Sequence, residues 1–240
     1  MPTIQESIEL VSGYHPTESS PADEAVMAAV QHLKTALGNV SQIADGIRPV
    51  LKTLVRAAVL IPGEWSSVLQ SLRDALDCPD LPWLHRAFLL KLLPEMLNDG
   101  SDAPRNCVEV CELLLRWATP SGETEDGRDG TQCSGTQEQR VALTALFSLP
   151  EAYFATIVQC CVSRLPPSLP MCLSLLTNQH APNPLKLAFE RWIVEAEASS
   201  LHGDCVAVIK KTLQEKYSGF GSLFCKDACA ALIASEGLKC

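Results

Sequence analysis

The sequence predicts an all-α protein built as a stack of helical hairpins, with about 11–12 short helices. Apolar residues recur at spacings of three and four through most of the chain, and no segment shows the period of two that is typical of a strand. Aromatic residues form only 5% of the 240 residues, although strands favour aromatic and β-branched side chains. Turns rich in proline and glycine separate the periodic segments at short intervals.

The first helical half spans 20–119 and begins with a recognisable helix start. Ser20 suits the N-cap, Pro21 suits the first helical position, and acidic residues fill the first turn. Residues 1–19 show no sustained periodicity and are predicted to be a flexible leader. Further helices of this half are predicted within 40–60, as a short and a longer one, and over 64–76, 83–97 and 104–117.

The segment 120–137 interrupts the helical pattern. It holds four glycines and no aliphatic residue, a composition that predicts a disordered loop between two helical halves. The second half spans 138–240, and we expect it to continue the first half as one array. Its helices are predicted over 137–149, 151–164, 167–178, 183–197, 202–217 and 222–236.

The net charge limits the classes of partner. The chain has 28 acidic and 19 basic residues, a net charge of −9. A nucleic-acid-binding surface needs a concentration of Lys and Arg, and the longest basic cluster is Lys210-Lys211, followed by Lys216. We therefore expect no direct contact with nucleic acid, and an anionic surface that suits a basic protein partner.

Eleven cysteines indicate a reducing compartment. Their number is odd and most lie inside apolar helical runs, whereas small secreted proteins place even numbers of cysteines in disulfide frameworks. Residues 1–13 show no signal-peptide pattern, and the longest apolar stretch, 57–62, is far shorter than the ~20 residues of a membrane span. We expect an intracellular protein of the nucleus or cytoplasm that does not contact a membrane.

One segment resembles a known repeat pattern. A leucine-rich helix ends in Leu92-Leu93-Pro94, Asp99 lies in the following turn, and Arg105 opens the next helix. In these features the run 88–114 is similar to a HEAT-type repeat. The resemblance implies an α-solenoid of the HEAT/armadillo kind, in which stacked helix pairs bind partners along one surface.

The sequence contains no catalytic or metal-binding constellation. It lacks a G-x-S-x-G elbow, a phosphate-binding glycine loop and an H-E-x-x-H motif. Two cysteine pairs at i, i+4, Cys107 with Cys111 and Cys225 with Cys229, have no histidine nearby and supply fewer than the four ligands that structural zinc needs. We interpret these thiols as buried packing residues. We predict no enzymatic activity, no cofactor and no bound metal.

Four residues are predicted to contact a partner. Trp117 and Trp192 are candidate interface anchors, because tryptophan combines a large apolar area with one N–H donor. Phe224 and Leu232 lie on the apolar stripe of the last predicted helix, which no later helix covers. Leu89–Leu93 fits the LxxLL docking motif, but its helix is apolar on several sides, so we expect these leucines to pack internally.

The leading hypothesis is a non-enzymatic protein–protein interaction scaffold, an adaptor or a subunit of a larger complex. From this class alone, a nuclear role in genome maintenance or ubiquitin-ligase assembly is one hypothesis, and the chain could equally be a fragment of a larger protein. One alternative is a helical-bundle enzyme or ligand-binding domain, which would need a deep pocket with convergent polar groups. Another is a helical regulator that binds a membrane or apoptotic partner through a hydrophobic groove. We expect protein partners and no small-molecule ligand.

Overall fold

The computed structural model describes residues 2–15, 24–40, 43, 46–61, 63–97, 103–119, 132–199 and 202–217. Over these residues the structure is helical and contains no strand, which confirms the all-α class. Short 3-10 turns cover 93–97 and 151–153. The α-helices in this part of the chain are α1 Ile4–Ser12, α2 Glu24–Leu37, α3 Ile47–Leu60, α4 Trp65–Asp77, α5 Trp83–Leu92, α6 Ala103–Ala118, α7 Gln132–Phe147, α8 Phe154–Val162, α9 Leu169–Thr177, α10 Asn183–Ala198 and α11 Gly203–Lys216.

The predicted flexible leader, 1–19, instead contains helix α1. A capping box starts this helix: the Glu6 backbone N–H donates to the Thr3 hydroxyl (3.2 Å), and the Thr3 N–H donates to the Glu6 carboxylate (2.6 Å). The prediction overlooked this Thr-x-x-Glu pattern, which marks helix starts. It also overlooked an apolar stripe too short to show periodicity. The residues of that stripe that pack on the core are Ile4, Ile8 and Val11.

The predicted loop, 120–137, is too long at its C-terminal end. Helix α7 begins at Gln132, so the last six residues of that segment are helical. Their polar composition gave no apolar signal, but a helix extends beyond its buried stripe because each added residue gains one backbone hydrogen bond. Residues 120–131 lie outside the described part of the chain, as does the predicted helix over 222–236.

The helix predicted over 83–97 changes character near its end. Helix α5 stops at Leu92, and the chain continues through residues 93–97 as a 3-10 turn. Pro94 accounts for the change, since proline has no backbone N–H and its ring clashes with a regular preceding turn. The indole N–H of Trp65 donates to the Met96 carbonyl (3.2 Å), which ties this turn to the start of α4.

Each helix packs against helices one or two places away in the chain. Helix α1 packs on α2 and α3, α3 on α4 and α5, and α5 on α7. Helix α6 packs on α7 and α8, α8 on α9 and α10, and α11 closes the described series against α9 and α10. One continuous apolar core runs from Val11 to Leu213 through all of these contacts. The two predicted halves therefore share a core.

No single helix in the described ranges is long and apolar enough to cross a membrane. The helical segments 137–147 and 151–162, bent by 108° at the break between them, reach the required length and apolarity only when taken together. In the fold these segments contribute Ala142, Leu146 and Ile157 to the core.

A partly buried ion pair joins α5 to α7. The Arg86 guanidinium donates to Glu138 (3.0 Å) and to the carbonyl oxygens of Cys78 (3.3 Å) and Pro79 (3.2 Å). Its carbon also lies 5.9 Å from the centre of the Trp117 ring on α6. Arg86 thus connects α5, α6, α7 and the turn that follows α4.

Replacing Leu89 with alanine should lower the free energy of unfolding by about 2–5 kcal/mol, because Leu89 is fully buried and truncation leaves a cavity. Leu84 on the same helix is 47% exposed, and Leu84→Ala should change stability by less than about 0.5 kcal/mol. Urea unfolding followed by circular dichroism measures both. Equal losses for the two variants would contradict the packing of α5 described here.

The partly buried ion pair should matter more than an exposed one. Glu138→Ala removes the carboxylate partner of Arg86 and should cost about 1.5–3 kcal/mol, the usual range for a hydrogen bond to a charged group. Asp77→Ala breaks the exposed pair with Arg116 and should cost less than about 1 kcal/mol. The same unfolding measurement compares them, and a larger loss for Asp77→Ala would be inconsistent with the structure.

Candidate partner-binding groove

An open groove of about 710 Å³ lies where α4, α6 and the α8–α9 connection meet. Helix α4 contributes Arg73, and α6 contributes the run from Glu112 to Arg116. The turn between α8 and α9 carries Arg164 and contains a cis peptide bond between Leu165 and Pro166. Since α6 belongs to the first predicted half and α8 to the second, the groove exists only because the two halves pack together.

The apolar part of the groove is built from core residues. These side chains are buried, so their positions are fixed by packing rather than by the groove's contents. The hydroxyl of Ser168, at the rim, donates to the Cys161 carbonyl and holds the turn before α9 in place. The buried lining residues are Leu113, Leu115, Cys160, Cys161 and Met171.

The charged part of the groove is dominated by arginine. Arg116 donates two hydrogen bonds to Asp77, at 3.0 and 2.8 Å, in a forked arrangement. Arg164 donates to Glu112. Both arginine side chains are more than half exposed, at 57% and 62%, and ion pairs at such positions contribute only about 0–1 kcal/mol. A carboxylate brought by a ligand can therefore compete for these guanidinium groups.

Arg73 is the groove's most available cation. It forms no hydrogen bond or ion pair with another described residue, although its side chain is only partly exposed. The lining holds three guanidinium groups and one carboxylate, that of Glu112, and Asp77 pairs with Arg116 from beside the groove, so these five groups together carry a charge of +1 in a chain of net charge −9. The forked donors of arginine match the geometry of carboxylates. The groove thus combines anion recognition with an apolar surface.

Five buried free thiols lie in and beside the groove. They come from α6, α8 and α9, and the Sγ atoms of Cys107 and Cys111 are 3.6 Å apart. Burial, with the nearby Glu112 and Cys107, raises the pKa of Cys160 to about 11. The hydrogen bond with Cys107 and burial raise the pKa of Cys111 as well. The five are Cys107, Cys111, Cys160, Cys161 and Cys172.

The burial of Cys107 and Cys111 confirms that they are packing residues. In the described part of the chain, no three His, Cys, Asp or Glu residues are grouped so that they could hold a metal ion. Cys225 and Cys229 lie outside that part. The LxxLL leucines, Leu89–Leu93, are also buried as predicted.

Neither tryptophan predicted to contact a partner lines this groove. Trp117 is half-buried against Arg86, and its indole N–H has no partner among the described residues. Trp192 lines a second groove, of about 370 Å³, between α8 and α10. The other two predicted contact residues, Phe224 and Leu232, lie outside the described residues.

Sequence reasoning missed Arg73, Arg116 and Arg164. They stand on three separate helical segments and form no cluster along the chain. At the level of sequence each one is an ordinary polar residue on an amphipathic helix. Only the packing of α6 between its neighbours brings them to one surface.

Comparisons with protein-family models, curated proteins and solved structures find no match to this chain. The HEAT-type resemblance of residues 88–114 therefore remains a prediction. The chemistry of the groove's own side chains, rather than kinship, indicates what it can bind.

The Cys160 thiol, which lines the groove, should react slowly with alkylating agents. A thiolate is the reactive form, and a raised pKa keeps Cys160 protonated at pH 8, so iodoacetamide should label the partly exposed Cys78 well before Cys160. Raising the pH through about 11 should release the Cys160 reaction. Peptide mass mapping at each pH measures the order, and labelling in denaturant supplies the control in which both sites react. Early labelling of Cys160 at pH 8 would contradict the described burial.

Proposed function

We propose that this protein is a non-enzymatic interaction scaffold, an adaptor or complex subunit, that holds an acidic segment of a partner protein. The segment would bind in the arginine-lined groove between α4, α6 and the α8–α9 turn. The observation that carries this proposal is the combination of three arginine side chains with a buried apolar lining in one open groove.

The helix order supports an α-solenoid form of this scaffold. Close packing in the described helices is confined to helices one or two places apart in the chain, as in arrays whose repeats contact only their neighbours. Such arrays expose long lateral surfaces, and the groove lies on one of them where consecutive hairpins meet. The HEAT-type pattern at 88–114 falls within the same series of helices.

The chemistry of the groove favours one kind of partner segment. Arg73 offers a guanidinium that is unpaired among the described residues, while Arg116 and Arg164 can exchange their exposed intramolecular pairs for ligand carboxylates. Pro167 and Pro170, which are exposed in the lining, offer apolar surface beside these charges. A peptide with two or more Asp or Glu residues around a Leu, Met or Phe satisfies both. Net charge alone indicated a basic partner, but the local charge of the groove has the opposite sign.

A scaffold accounts for the groove better than an enzyme or a small-molecule site does. Such a site encloses its ligand with a few convergent polar groups, whereas here the charged side chains are largely exposed at the rim. The thiols that reach the groove are buried and protonated at neutral pH, unlike nucleophilic cysteines, which have lowered pKa values.

Selection of a random peptide library on the full chain tests the proposal. Enriched peptides should be acidic and should contain at least one large apolar residue. Arg73→Glu places a carboxylate in the groove and should weaken the binding of a selected peptide at least about tenfold, the equivalent of 1.4 kcal/mol. Isothermal titration calorimetry measures the loss.

Lys216→Glu on α11 is the matched control, because it makes the same charge change at an exposed site away from the groove. Binding in this variant should stay within about twofold of the original at moderate salt, since distant surface charges are screened. Enrichment of basic peptides, or equal losses in the two variants, would refute the assignment of the groove.

A further inference from the structure

Helix α3 exposes one narrow stripe, and that stripe is cationic. Most of the helix is buried between its neighbours. Three exposed residues, Arg48, Lys52 and Arg56, follow one another at intervals of four. This spacing places their side chains on one face, with about 6 Å of axial rise between successive charges. Helix α3 contains no Asp or Glu that could neutralise them.

Helix α5 places apolar side chains beside these charges. Leu84 is 47% exposed and lies one turn before Phe88 on the same side of the helix. The centre of the Phe88 ring lies 5.3 Å from the Arg48 guanidinium carbon and 5.9 Å from Lys52 Nζ. These cation–π contacts hold the stripe of α3 against α5.

The pKa of His85 on α5 is shifted by its surroundings on this surface. Burial, with the charge of Arg48, lowers the pKa of His85, so its imidazole is neutral at pH 7. The other exposed ionisable residue of α5 is Lys91. None of Arg48, Lys52, Arg56 and Lys91 forms an ion pair with a described residue. These four cations thus have no ion-pair partner among the described residues, and the nearest exposed carboxylate in sequence, that of Glu95, lies in the 93–97 turn that packs on α3.

We propose that this surface is a second docking site, and that it binds an acidic amphipathic helix of a partner protein. We call it the α3–α5 face. The residues that define it are Arg48, Lys52, Arg56, Leu84 and Phe88.

The spacing of the charges argues for a helical partner. Carboxylates at i, i+4 and i+8 of a helix repeat with the same rise as the cations of α3, so a partner helix lying along α3 can match all three. Its apolar side chains then meet Leu84 and Phe88, in the manner of a helix that lays its apolar face on a hydrophobic surface.

The charge distribution argues against a nucleic acid. A polyanion extends beyond the four cations and meets a chain whose net charge is −9, whereas a short acidic helix meets only the local field. The aliphatic side chain of Leu84 also suits a peptide better than a stacked base. The face shares no residue with the arginine-lined groove, so it can be occupied independently.

Two fluorescein-labelled helical peptides of about five turns test the face. Both peptides carry leucine along one side of the helix. Beside the leucines, the first peptide has glutamate at i, i+4 and i+8, and the second has lysine at the same three positions. Fluorescence anisotropy with the full chain should show binding of the glutamate peptide and none of the lysine peptide. The double variant Lys52→Glu with Arg56→Glu should weaken that binding at least about tenfold, and Leu84→Asp should weaken it as well.

Lys211→Glu with Lys216→Glu on α11 makes the same change of charge away from the face and should leave the affinity within about twofold. If the variant Lys52→Glu with Arg56→Glu has a lowered melting temperature, Lys52→Gln with Arg56→Gln replaces it. This second double variant removes the two positive charges without adding negative ones, and it should still reduce binding. Arg73→Glu separates this face from the groove, because it should leave the affinity for the glutamate peptide unchanged.

Several outcomes would overturn the proposal. These are failure of the glutamate peptide to bind, binding that survives both α3 variants, and binding that is lost only in Arg73→Glu. Labelled oligothymidine supplies the remaining comparison. If oligothymidine binds more tightly than the glutamate peptide, and the α3 variants weaken that binding, the face is a nucleic-acid surface and the proposed partner is wrong.

Discussion

The architecture depends on one constraint: every helix must bury its apolar side against helices that are close to it in the chain. Helices of 9–16 residues are too short to be stable alone, so each relies on the next one or two for its stability. The result is a single core that passes from α1 to α11. Because the contacts are local in sequence, the array can tolerate the long interruption between α6 and α7, whose helices still pack on one another.

This constraint also decides where polar chemistry can occur. A helix packed on several sides has only a narrow stripe left for solvent. On α3 that stripe holds three cations, and on α5 it holds Leu84. Where α4, α6 and the α8–α9 turn leave a gap, arginines from three segments meet above buried leucines and cysteines. The two proposed binding surfaces are thus the parts of the fold that its helices leave uncovered.

Both surfaces are positive in a protein whose net charge is −9. The remaining acidic surface repels polyanions, while short acidic segments can still reach the cations locally, within a Debye length of about 8–10 Å. Two sites of the same sign, with no residue in common, suit a scaffold that holds two acidic segments at once. When both segments belong to one partner, binding at one site raises the effective concentration at the other.

The sequence by itself determined the all-α class and the position of most helices, because periodicity, proline and glycine act within a few residues of one another. It also indicated that Leu89–Leu93 and Cys107 with Cys111 pack internally. It missed α1, whose apolar stripe is too short to be periodic, and the start of α7, which is polar. The groove and the α3–α5 face were decided only by the tertiary structure. Arg73, Arg116 and Arg164 are distant in the chain, and which stripe of α3 stays exposed depends on where its neighbours pack, which no local pattern encodes.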